Sequence, residues 1–119
     1  MADKPLLECS FLIPLRGDRG LSDGEPHSKK AWRWLGTELF QFGGGTSAKE
    51  ALEGWYLDPD TGQAVHDRSK KYTVAVACED VDRLRAVLRQ SCRVFHQKCI
   101  YLSVAGLVEF VKGNADEKD

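Results

Sequence analysis

The feature that most constrains this chain is a strand-helix-strand rhythm that occurs twice. Apolar side chains at Val81, Leu84, Leu88, Cys92 and Phe95 recur at steps of three and four, the spacing of one helical face. The flanking segments change to a period of two: Tyr72, Val74 and Val76 before, and Ile100, Leu102 and Val104 after, the latter interleaved with Tyr101 and Ser103. A helix is therefore expected from about Glu79 to Phe95. Glu79, Asp80 and Asp82 complement its positive end, and Arg89 and Arg93 lie in its last turns.

The earlier copy of the rhythm is read the same way. Leu6 to Leu15 is apolar enough for a buried strand, and Pro14 stops its pairing. Ala31, Leu35, Leu39 and Phe42 define a helix from about Pro26 to Phe42, with Pro26 in its first turn and the Gly43-Gly44-Gly45 run as its stop. Trp34, beside Leu35 on the helical wheel, is expected in the core, and Trp32 at an edge or a partner. Ala51 to Leu57 and Gln63 to Ala77 read as strands joined by the turn Asp58-Pro59-Asp60-Thr61-Gly62. Lys98 to Val104 is a further strand, and Ala105-Gly106 turns it into a short last one, Leu107 to Val111.

This order predicts an α+β fold, a ferredoxin-like sandwich (βαββαβ plus the short C-terminal strand) with one antiparallel sheet and both helices on one face. Residues 1 to 111 are read as a single domain and residues 112 to 119 as a disordered charged tail. The uncovered face would carry Thr73, Ala75, Ala77, Tyr101 and Ser103, too apolar for a surface left in water. A homodimer through that open face is expected.

With 119 residues, 42% of them apolar, the chain can bury a core without disulfide or metal staples. Its 17 basic and 18 acidic side chains nearly cancel, so it lacks the electrostatic footprint of a nucleic-acid binder. No apolar run reaches the ~18 residues of a membrane span. Glu8 breaks the stretch that would otherwise resemble a signal sequence, so a cytoplasmic protein with reduced thiols is expected. Cys92, His96 and Cys99 have helical ligand spacing, but no fourth ligand lies nearby; they are read as buried thiols at a helix end, and neither metal nor cofactor is expected.

The topology gathers three connections at one edge: residues 16 to 28, the turn at 58 to 62, and the link from His96 to Lys98. Arg16, Asp18, Arg19, His27, Asp58, Asp60 and His96 converge there, with His66 and Asp67 close by. Histidine beside carboxylate is the commonest acid-base pairing, although a loop histidine is more often solvated and Asp58 and Asp60 also serve as turn formers. Gly54-Trp55-Tyr56 offers rings for stacking on a ligand or packing on a partner. Arg16, His27, Trp55, Asp60, His66 and His96 are accordingly the candidate contacts for a small-molecule ligand. Glycines 17, 20 and 24 fit no phosphate-binding fingerprint, and Arg85, Arg89 and Arg93 read as a solvated stripe.

The stretch from Gly54 to Val111, above all Ser69-Lys70-Lys71-Tyr72-Thr73-Val74-Ala75-Val76 and Phe95-His96-Gln97-Lys98-Cys99-Ile100-Tyr101-Leu102, resembles small bacterial proteins of unassigned function with a ferredoxin-like fold. The resemblance covers about half the chain, implies the fold, and assigns no functional residue. Two functions follow as expectations: a dimeric, non-catalytic binding or regulatory module holding a small ligand at the loop edge, or a small enzyme of monooxygenase or isomerase type using His27 or His66 as base.

Overall fold

A computed structural model describes residues 5–18, 24–58 and 60–113. The elements run β1 (Leu6–Pro14), α1 (Lys29–Leu39), β2 (Thr46–Ser47), β3 (Leu52–Leu57), β4 (Ala64–Ala77), α2 (Val81–Val94), β5 (Cys99–Val104) and β6 (Leu107–Lys112). Among the described residues they form a mixed α+β structure with an antiparallel six-stranded sheet and two helices. β1 lies at the centre, paired along its whole length with β4 and through Cys9, Phe11 and its neighbour Ser10 with β5. β6 follows β5 at one edge. At the other edge two strands share β4: β2 pairs with Tyr72 and Thr73, and β3 with Ala64 through Ser69.

Alternation along the strands decides the core. Cys9, Phe11 and Ile13 of β1, Tyr72, Val74 and Val76 of β4, and Ile100 and Leu102 of β5 are buried with Ala31, Leu35 and Leu39 of α1 and Leu84, Val87, Leu88 and Cys92 of α2. Both helices thus lay their apolar stripes into one cluster, as the steps of three and four require. The intervening residues of β1, among them Ser10, Leu12 and Pro14, look the other way.

The start of α1 differs from expectation for a local reason. α1 begins at Lys29 because Ser28 caps it, its hydroxyl accepting the Ala31 amide at 3.1 Å, while Pro26 instead bridges Arg16. Neither Trp32 nor Trp34 enters the core fully; both are half-buried against it, and Trp32 meets the Phe95 ring at 4.8 Å. The two-residue β2 was not expected, since it carries no periodic signal.

α2 ends with His96 in the left-handed region, φ 53°, while the Gln97 amide closes back on the Cys92 carbonyl at 2.8 Å. Arg85 leaves the presumed solvated stripe: its guanidinium forks onto both carboxylate oxygens of Glu109 at 2.9 Å and also reaches Asp82, tying α2 to β6. Residues 114–119 of the expected tail lie outside the described residues, as does Arg19, whereas Lys112 belongs to β6.

Candidate ligand cavity

On the sheet face away from the core, a cavity of about 260 Å³ opens between the β3–β4 hairpin and the β5–β6 edge. Leu12 and Pro14 of β1 and the buried Ser69 of β4 belong to its apolar side. Rings flank it: Trp55 and Tyr56 of β3, Tyr101 of β5 and Phe110 of β6, the last two edge-to-face at 5.8 Å. Among the described residues four carboxylates, Asp18, Glu53, Asp58 and Asp67, line it against one lysine, Lys98.

Strand register positions the central acid. Asp67 is the partner of Gly54, and a side chain on Gly54 would begin 3.7 Å from Asp67 Oδ1. Burial raises the Asp67 carboxyl above its ordinary value, the nearby charge of Asp18 adds to this, and His66 partly offsets it. Burial also pushes the Tyr56 hydroxyl up to about 12, with Asp18, Asp67 and Asp58 contributing. The cavity thus disfavours further negative charge and favours cations.

Its rim is a knot of three loops. The Asp18 amide donates to the His96 carbonyl at 2.8 Å, and the Asp18 carboxylate accepts the Lys98 amide at 2.7 Å. The buried Gln97 side chain donates to the carbonyls of Arg16 and Phe95, each at 2.8 Å. The Lys98 ammonium reaches Asp60 at 2.8 Å and Asp58 at 3.7 Å. Asp58 Oδ1 meanwhile accepts the Asp60 amide at 2.7 Å, the chief reason its carboxyl falls below the usual range.

The six residues singled out from the sequence are distributed unevenly around this site. Trp55 lines the cavity, and His66 stacks on it with ring centres 5.1 Å apart. His66 also donates to Glu53 at 3.2 Å, in the open. Asp60 reaches the rim through Lys98. Arg16 donates from its guanidinium to the Gly24 carbonyl and offers the rim its backbone oxygen. His96 provides a helix end and a carbonyl acceptor. Among the described residues His27 has no carboxylate partner: its Nε2 donates to the Pro14 carbonyl at 2.8 Å, its ring packs edge-on against Trp32 and Phe95, and burial lowers its pKa. Asp18 was expected at this edge and Asp67 close to it, and Tyr56 was offered with Trp55 as a ring for a ligand or a partner; Glu53, Tyr101 and Phe110 were not among the candidate contacts. The alternation that puts Tyr101 on the uncovered face was the available signal for the missed ring beside it.

Among the described residues no group of three metal-ligating side chains forms, and Cys92 donates to the Val111 carbonyl at 3.5 Å, its thiol pushed up to about 12 chiefly by burial. No helix among them is long and apolar enough to cross a membrane.

The fold and this cavity define an antiparallel α+β protein with an acidic, ring-lined recess on its sheet. Neither a protein-family model nor a curated sequence matches the chain. Its architecture is similar to that of a phage SAM lyase in complex with S-methyl-5'-thioadenosine, with a TM-score of 0.70 and 14% identity over 100% of this chain and 97% of that one. A phage SAM lyase in the apo state is similar with a TM-score of 0.63 and 14% identity over 96% and 97% of the two chains. These neighbours overturn the expectation of a non-catalytic regulatory module: the solved chains that share this architecture end to end are an enzyme.

Proposed function

We propose that this chain is a lyase acting on S-adenosylmethionine, cleaving it in the cavity between the β3–β4 hairpin and β5–β6 to release 5'-methylthioadenosine. The observation that carries the reading is the pairing of aromatic walls with four carboxylates in a recess of about 260 Å³. Trp55, Tyr56, Tyr101 and Phe110 suit an adenine ring, and the carboxylates suit a ligand bearing a sulfonium and an ammonium. The full-length likeness to a lyase solved with the thioadenosine supports it.

The chemistry asks little of the protein. A sulfonium is already an activated leaving group: when the bond from sulfur to the aminobutyryl chain breaks, its electron pair stays on sulfur and the thioether departs neutral. Because charge is lost at sulfur, an apolar wall there favours the transition state over the charged ground state. Leu12, Pro14 and the rings supply such a wall. The remaining four-carbon fragment either closes on its own carboxylate with no proton moved, or yields a proton to a cavity base such as Asp67 and becomes an alkene.

Chromatography of S-adenosylmethionine incubated with the purified protein tests the reading, with proton NMR distinguishing lactone from alkene. Thioadenosine release well above a protein-free control is expected. Release at the control rate, together with no heat of thioadenosine binding in calorimetry, would overturn it.

The finer topology is proposed to be that of the ferredoxin-like class, a reading supported by the strand order β3-β4-β1-β5. The chain from residue 1 to 111 is read as one domain. A second copy is proposed over the open face beside the cavity, where Ala75, Thr73 and Ser103 remain at least partly exposed.

A further inference from the structure

We infer that Lys98 is a positioning residue that sets the shape of the cavity rim by pinning two otherwise independent loops to the start of β5; the inference rests on the lyase reading above. Its two polar ends serve different loops. The backbone amide holds Asp18, which follows β1, and the ammonium holds Asp60 and Asp58 at the tip of the β3–β4 hairpin.

The hairpin needs such an anchor. Every residue of β3 is exposed or only half-buried, and among the described residues it pairs with β4 alone. The tip is organised locally by Asp58, whose Oδ1 takes the Asp60 amide at 2.7 Å and whose carbonyl takes the Gly62 amide at 2.7 Å. This fixes the tip's own shape but not where it sits relative to β5. The second oxygen of Asp58, turned to Lys98, supplies that link. Since Asp18 and Asp58 both line the cavity, one side chain and its own amide together fix the distance across the rim.

A group that shapes the rim without touching the breaking bond acts on substrate capture rather than on the chemical step. Lys98→Met, which keeps the stem and the amide, should raise KM for S-adenosylmethionine about fivefold, the scale of an exposed ion pair, with kcat within about twofold of wild type. Hydrogen exchange at the amides of Asp60, Thr61 and Gly62 should quicken by a similar factor while α2 is unchanged. Lys98→Arg should restore both. Asp60→Asn, at an exposed position that does not threaten folding, should reproduce part of each effect.

Tip exchange within twofold of wild type in both Lys98→Met and Asp60→Asn would overturn the inference. So would an arginine variant as impaired as the methionine one, or a loss falling on kcat. If the wild-type protein cleaves no substrate, the lyase reading falls, and the exchange measurements alone decide whether Lys98 pins the tip.

Discussion

The backbone amide of Lys98 donates to the carboxylate of Asp18 at 2.7 Å, joining segments eighty residues apart in the chain. That bond draws the loop after β1 onto the start of β5. With the ammonium of the same lysine on Asp60, it turns scattered acidic residues into one wall of a recess.

Asp67 is expected to matter for activity and to cost stability. Its carboxyl is raised in the folded protein, so the folded state holds that proton more tightly than the unfolded one. The associated stability is fully present below the unfolded value and is lost as pH rises through the folded value. Asp67→Asn should therefore raise Tm at neutral pH, with the gain shrinking as the pH approaches 4. The same variant should lower kcat/KM about 10- to 100-fold, the scale of a charge-assisted contact. Thermal melts across pH, alongside thioadenosine release, check both halves.

Leu84 has no solvent exposure and lies where α2 meets the sheet. Leu84→Ala should cost about 3 kcal/mol through lost burial and the cavity left behind. Urea titration should show a lower midpoint at unchanged slope.

His96 adopts φ 53° at the end of α2, where a side chain is strained and glycine is not. His96→Gly should stabilise the protein by about 1 kcal/mol in the same titration. A loss of stability would show that the imidazole makes a contact worth more than the strain.

Ala75 is exposed on the sheet face opposite the helices. Ala75→Arg should convert a dimer into a monomer or an aggregate in light scattering. An unchanged mass would retract the proposed second copy.

Much of the architecture was legible in the residues. β1, α2, β5 and β6 fall within one or two positions of their expected ends: α2 and β5 because each has an apolar face with a clean period, β1 because it is an apolar run ending at Pro14, and β6 because the Ala105-Gly106 turn sets its start. β2 escaped because two residues after three glycines have no period, and the start of α1 shifted because the Ser28 cap prevailed over the proline signal. The cavity was harder to foresee. Attention falls naturally on histidines, yet His27 spends its ring on Trp32 and Phe95. Topology already brought Asp18, Asp58 and Asp67 to one edge, but their turning into a single recess follows from the pairing of Gly54 with Asp67 and from the bridging lysine. The convergence of three loops at one edge was readable, whereas which side chains would face inward was not.

β4 is fourteen residues long and does two jobs in succession: Tyr72, Val74 and Val76 belong to the core, while Ala64 to Ser69 carry the hairpin that forms one wall of the recess. The recognition half therefore projects like a visor past the packed half. Replacements along it can retune which molecule is admitted while leaving the scaffold beneath intact, making this segment the natural place for related chains to diverge and for an engineer to begin.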